Sequence, residues 1–115
     1  MNIKQLAENF TISEQITLED IETLATLGIK TLICNRPDGE EPNQITCAEI
    51  NTVAAANGID FVHIPVAGKD VPAESLEKFA TVLQETNDRV HAYCRSGTRA
   101  AIFWDLSQQE KSQQS

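Results

Sequence analysis

The chain has 115 residues, enough for one domain whose single core covers roughly two thirds of the surface that the unfolded form exposes. With 41% hydrophobic and 23% charged residues it has a globular composition, and no apolar run approaches the roughly 20 residues of a membrane span. A formal charge of -8 opposes phosphate backbones and anionic lipid, which argues against nucleic acid and membrane surfaces as partners.

The polar start, Met1 to Asn9, lacks the apolar stretch of a secretory signal, so a cytoplasmic location is expected. Phe10-Thr11-Ile12 reads as a short strand. Thr17 then caps a helix whose apolar positions Leu18, Ile21, Leu24 and Ala25 share one face, and Gly28 suits its stop. Ile29 to Cys34 is an apolar, β-branched run broken only by Lys30, as in a buried strand, and Asn35-Arg36-Pro37-Asp38-Gly39 ends it as a loop. Thr46 and Glu49 form a capping-box pattern for a helix that ends near Gly58.

Ile59 to Val66 is the next strand, closed by Pro65, and the loop Ala67 to Asp70 leads to Pro72 in the first turn of a third helix. Leu76, Phe79, Ala80 and Leu83 give that helix its buried stripe. Val90 to Tyr93 is the last strand, and a fourth helix starts near Thr98 with Ile102, Phe103 and Leu106 facing inward. Trp104, two positions from Ile102, is expected to be partly exposed, at a contact surface or at the rim of the domain. Residues 1–106 make the domain, and the Gln- and Ser-rich stretch 107–115 reads as a frayed polar tail.

Alternating strands and helices predict an α/β fold, a single three-layer domain with a mainly parallel sheet flanked by helices. Ligands of such sheets sit outside the carboxyl ends of the strands. The 35–39 loop, the 67–70 loop and the loop after Cys94 therefore converge on one edge.

Cys34, Cys47 and Cys94 form neither a C-x-x-C pair nor a metal-ligand spacing, so no disulfide framework, metal or cofactor is expected. Cys34 and Cys47 read as small core hydrophobes, with Cys34 a resolving thiol if the fold brings it to Cys94. His63 reads as a strand histidine with a structural hydrogen bond.

Chemistry concentrates in Cys94-Arg95-Ser96-Gly97-Thr98-Arg99. Cys94 closes a buried strand, and Gly97 permits the positive φ that a tight turn needs. The segment Arg95, Ser96, Gly97, Thr98 then aims backbone N–H groups inward as an anion-binding loop. Those donors and the helix N-terminus are expected to lower the pKa of the Cys94 thiol, and Arg99 offers a planar fork for two oxygens of an anionic group. Ser96 and Thr98 can stabilise a thiolate, contact a ligand or cap the helix. Two of the four arginines flank Gly97, concentrating positive charge on an acidic background and pointing to a small anionic substrate. Arg36 and Asp38 lie on the same edge. Either can lend charge to the pocket, although an Asx turn is the favoured role for Asp38.

Taken with Ile33-Cys34-Asn35-Arg36-Pro37-Asp38-Gly39-Glu40 and the helix entry around Asp20, this loop resembles the bacterial phosphatase-like domain family found beside or fused to β-lactamase-like hydrolases. The resemblance implies a cysteine-phosphatase-like fold of the dual-specificity type, an active loop similar to that of rhodaneses, and a β-lactamase-like hydrolase as partner. Cysteine phosphatases place one more residue between nucleophile and arginine than the four found here. A cradle shorter by one amide favours a sulfurtransferase that forms a Cys94 persulfide from thiosulfate or small persulfides. The alternative is a phosphatase that hydrolyses phosphomonoesters through a Cys94 phosphocysteine. For that reaction Asp70, some two dozen residues before Cys94, stands where such enzymes carry the general acid, or serves as a helix N-terminal acid. Tyr93 stands where many phosphatases carry His, and His91 shares its sheet face by strand alternation. A catalytically silent anion-binding module is the second alternative.

Overall fold

The computed structural model describes the backbone of residues 1–113 and the side chains through residue 110. Strands β1 (Lys4–Ala7) and β2 (Phe10–Ser13) form a hairpin, followed by α1 (Leu18–Thr26), β3 (Ile29–Cys34), α2 (Cys47–Ala56), β4 (Asp60–His63), α3 (Ala73–Glu85), β5 (Arg89–Tyr93) and α4 (Thr98–Gln113). The sheet order is β1-β2-β5-β3-β4, with β1 antiparallel and the other pairings parallel. The α/β expectation holds. The sequence shows no sign of the hairpin strand β1, because its exposed polar pair Lys4-Gln5 is followed by the half-buried apolar pair Leu6-Ala7 and the four residues show no alternation.

Local signals account for the element ends. Thr17 and Asp20 close a reciprocal capping box, each side chain accepting the other's backbone N–H at 3.2 and 2.9 Å. At α2 the box is half formed: Thr46 Oγ1 accepts from Glu49 N–H, but the Glu49 carboxylate takes the Thr46 hydroxyl. Pro72 is the N-cap of α3 and lies just outside its first turn. The β4 run is shorter than Ile59 to Val66. Beyond His63 the chain still bonds to the β3 edge, with Ile64 N–H on Cys34 O and Val66 N–H on Asn35 O, but Pro65 between them has no donor. The polar stretch from Ser107 continues α4 as far as Gln113, and Ser107 itself is buried; residues 114 and 115 lie outside the described part.

Two cores sandwich the sheet. On one face Phe10, Ile12, Ile33, Val90 and Ala92 meet Leu76 and Phe79 of α3 and Ala100 and Phe103 of α4. Phe79 packs edge-on to Phe10 with centroids 5.8 Å apart, while Trp104 stacks on Phe10 at 4.4 Å. Ala100 and Phe103 are the fully buried α4 residues, and Ile102 and Leu106 are half-buried. On the other face Leu32, Cys34 and Tyr93 pack against Ile21 and Leu24 of α1 and Ile50 and Ala54 of α2. Among the described residues no helix is long and apolar enough to cross a membrane.

Candidate active site

Strand register sets the site. Ser13 pairs with Tyr93, Tyr93 with Cys34, and Cys34 with His63, so these four form the last row of the parallel sheet. Every loop that could bear chemistry leaves from that row. Cys94 follows Tyr93 directly, and its loop is pinned at both flanks: Arg95 O accepts from Gln15 N–H at 3.1 Å, and Tyr93 O from Asn35 N–H at 2.8 Å.

The loop then folds around the sulfur. Gly97, at φ +94, turns its N–H onto Cys94 Sγ at 3.0 Å. A side chain at Gly97 would meet the Ser13 carbonyl at 3.5 Å, so this turn nests against the end of β2. Cys94 is fully buried at the base. Ser96 Oγ accepts the Thr98 N–H and donates to Thr98 Oγ1, which assigns both hydroxyls to the start of α4.

Arg99 lies in the first turn of α4, five residues after Cys94. Its orientation comes from Glu40, whose carboxylate takes Nη1–H at 2.7 Å and Nη2–H at 2.9 Å, and from Val66 O, which takes Nη1–H at 2.9 Å. Glu40 holds the guanidinium pKa above its ordinary value, with Cys94 adding to the effect. Among the described residues Nε–H of Arg99 has no partner, so one edge of the fork remains open for an oxyanion.

Arg36 is buried and reaches Glu40 at 2.8 Å and Gln15 at 2.9 Å. It therefore serves the pocket through Glu40. Arg95 is largely exposed at the rim, paired with Glu41 at 2.7 Å. Three guanidiniums face two carboxylates here, leaving a surplus positive charge in this cluster. Glu40 and Glu41 received no role from the sequence, since the bond from Arg99 to Glu40 spans 59 positions. Their position directly after the Arg36 loop was the one available hint.

Other expectations change. Asp38 makes no Asx turn; its Oδ1 accepts the Cys47 N–H at 2.9 Å and so satisfies a free donor of the α2 N-terminus. Cys34 is no resolving partner for Cys94. It faces Cys47 instead, with the two sulfurs 3.8 Å apart. His63 makes a structural bond, its Nε2–H donating to Arg36 O at 2.8 Å. His91 is sealed between Thr11 Oγ1 at 2.7 Å and Ser13 Oγ at 2.8 Å, with both ring nitrogens used and burial pushing its pKa down to about 4. Neither it nor Tyr93 takes the place of a histidine beside the nucleophile. Asp70 sits exposed in the loop that begins at Val66, the residue whose carbonyl Arg99 holds.

The sequence model of the family described as beta-lactamase hydrolase-like protein, phosphatase-like domain, matches residues 2–111. Over 108 residues the chain is 33% identical to a beta-lactamase hydrolase-like protein of Agrobacterium fabrum and 32% identical to one of Xylella fastidiosa. Each alignment covers 94% of this chain and 25% of the relative, so the chain spans about a quarter of the length of these curated proteins. Among solved structures, a candidate phosphatase of Neisseria meningitidis superimposes with a TM-score of 0.83 at 40% identity, covering 90% of this chain and 74% of that one. The core catalytic domain of a PP-IP phosphatase from S. cerevisiae superimposes with a TM-score of 0.71 over 94% of this chain and 65% of its own; at 16% identity it shares the fold alone. The family match and the likeness to the Neisseria protein weigh toward the phosphatase alternative and lend no support to the sulfurtransferase preference drawn from loop length.

Proposed function

This chain belongs to the beta-lactamase hydrolase-like protein, phosphatase-like domain family, and from that premise we propose that it hydrolyses small phosphomonoesters through the thiolate of Cys94. The observation that carries the reading is the pairing of a Gly97 N–H aimed at Sγ from 3.0 Å with an Arg99 fork, five residues after Cys94, that Glu40 clamps and that is open along one edge. Sulfur attacks phosphorus opposite the ester oxygen; an S–P bond forms as the P–O bond breaks, and Asp70 gives the departing oxygen its proton. Water, deprotonated by Asp70, then cleaves the S–P bond, releasing phosphate and the thiolate. Loop amides and Arg99 share the charge of the transferring group. A cytoplasmic setting, where thiols stay reduced, suits this nucleophile. The family description makes a β-lactamase-like hydrolase the natural partner.

Sulfur transfer is the second reading, favoured by one feature: four residues separate Cys94 from Arg99, which leaves a tight cradle suited to a single added sulfur atom. One set of assays separates the two. Purified protein is given an aryl phosphate and, separately, thiosulfate with cyanide, alongside Cys94→Ser and Asp70→Asn. Phosphate release abolished by Cys94→Ser and cut about a hundredfold by Asp70→Asn is the expected result. Cys94-dependent thiocyanate without phosphate release would replace the phosphatase reading with sulfur transfer. Phosphate binding without turnover of either substrate would leave a silent anion-binding module and overturn both.

A further inference from the structure

A second set of reactive side chains lies one strand away from Cys94, on the α1/α2 face of the sheet, and the proposed phosphatase chemistry does not use it. Cys34 ends β3, His63 ends β4, and their Cα atoms pair across the parallel ladder, so both side chains leave the same face side by side. Cys47, the first residue of α2, hangs over them. The two sulfurs and a ring nitrogen of His63 all lie within 4.8 Å of one another. We propose that Cys34, Cys47 and His63 form a binding site for a soft divalent cation, Zn2+ in the first instance, that ties the loop between β3 and α2 to the sheet.

The distances fit without rearrangement of the thiols. Two sulfurs bound tetrahedrally to zinc at about 2.3 Å each stand about 3.8 Å apart, and Cys34 and Cys47 already stand 3.8 Å apart. His63 gives its Nε2–H to Arg36 O, which leaves the ring one lone pair and anchors it through a backbone carbonyl, as metal-bound histidines are commonly anchored. Asp38 accepts the amide N–H of Cys47 and lies outside the cluster, so water is left to fill the fourth position. On binding, two S–H bonds break, two Zn–S bonds form, and two protons pass to solvent with no change of oxidation state. Two thiolates and a neutral imidazole balance the charge of the ion, so the filled site is electrically neutral in its half-buried place. Cys47 and His63 keep partial exposure, which supplies an entry path.

Occupancy would also matter to the loop itself. The twelve residues from Asn35 to Thr46 have no regular structure and carry Arg36 and Glu40, and the site would close both their ends. That the spacing of Cys34, Cys47 and His63 along the chain matches no metal motif is no obstacle, because the ligands come from three separate elements.

The test uses the full chain, reduced and metal-free. Titration with Co2+ should produce tetrahedral d–d absorption and a thiolate-to-cobalt charge-transfer band that saturate at one ion per chain, and Zn2+ should abolish both while releasing two protons. Cys47→Ser and His63→Gln, both at half-buried positions that the fold can tolerate, should each weaken Zn2+ binding about a hundredfold or more. Cys94→Ser should leave it unchanged. A missing charge-transfer band overturns the proposal, as does a band lost in Cys94→Ser but kept in Cys47→Ser. Rapid air oxidation of Cys34 and Cys47 to a disulfide that Zn2+ fails to prevent would likewise overturn it, in favour of a plain thiol pair.

Discussion

Replacing Glu40 with Gln preserves the size of the side chain and removes the charge that clamps two guanidiniums. In the native protein Oε1 and Oε2 accept from Arg99 at 2.9 and 2.7 Å, and Oε1 also accepts from Arg36 at 2.8 Å. The Arg99 hydrogen bonds foremost, then Arg36 working against desolvation, hold the carboxyl pKa at about 2, against 4.5 for a free group. Taken whole, that difference corresponds to about 3 kcal/mol. Water screens a side chain that is 24% exposed, which brings the contribution to about 1–2 kcal/mol. The variant should then melt roughly 4–10 °C lower at neutral pH. Because the folded carboxyl titrates low, its stabilisation is complete above pH 4.5 and disappears as pH falls through about 2, so the two melting curves should converge over that interval. Arg99 also loses one acceptor and swings, and a displaced fork should lower kcat/KM for an aryl phosphate by about ten- to a hundredfold. Turnover equal to or above the parent's would refute the reasoning, since it would mean that Glu40 competes with substrate for Arg99 instead of orienting it.

Gly97→Ala forces a Cβ onto a residue at φ +94, a strain of about 1–2 kcal/mol. With the nearest backbone 3.5 Å away the fold should survive, and circular dichroism should be native while phosphatase turnover falls at least about tenfold; full activity would show that the Gly97 amide is idle. His91, held near pKa 4 by burial against an ordinary 6.5, stays neutral in the fold while the unfolded chain gains a proton. Its contribution is intact above pH 6.5 and is lost as pH falls toward 4, so urea unfolding should show about 2 kcal/mol less stability at pH 5 than at pH 7. A His91→Gln chain should lack that slope, and a parent flat across the interval would contradict the assignment. Phe79→Ala empties a fully buried site between Phe10 and Phe103 and should cost about 3–5 kcal/mol in denaturant titration, whereas a loss under about 1 kcal/mol would mean that the α3 face of the sheet is loosely packed.

Sequence alone determined what depends on neighbours a few positions apart. Apolar runs marked β3 and β5, a 3.6-residue period marked α1, α3 and α4, Thr17 and Thr46 marked helix starts, and the end of β5 placed Cys94 at a strand-to-helix turn with Arg99 one turn on. Tertiary structure decided the order β1-β2-β5-β3-β4, the edge strand β1, the clamp of Glu40 on Arg99, and the turning of Cys34 toward Cys47 and away from Cys94. Strand register is the physical reason. It lines up Ser13, Tyr93, Cys34 and His63 in one row, so residues up to 80 positions apart become neighbours, and pairings of that range leave no pattern in the linear chain.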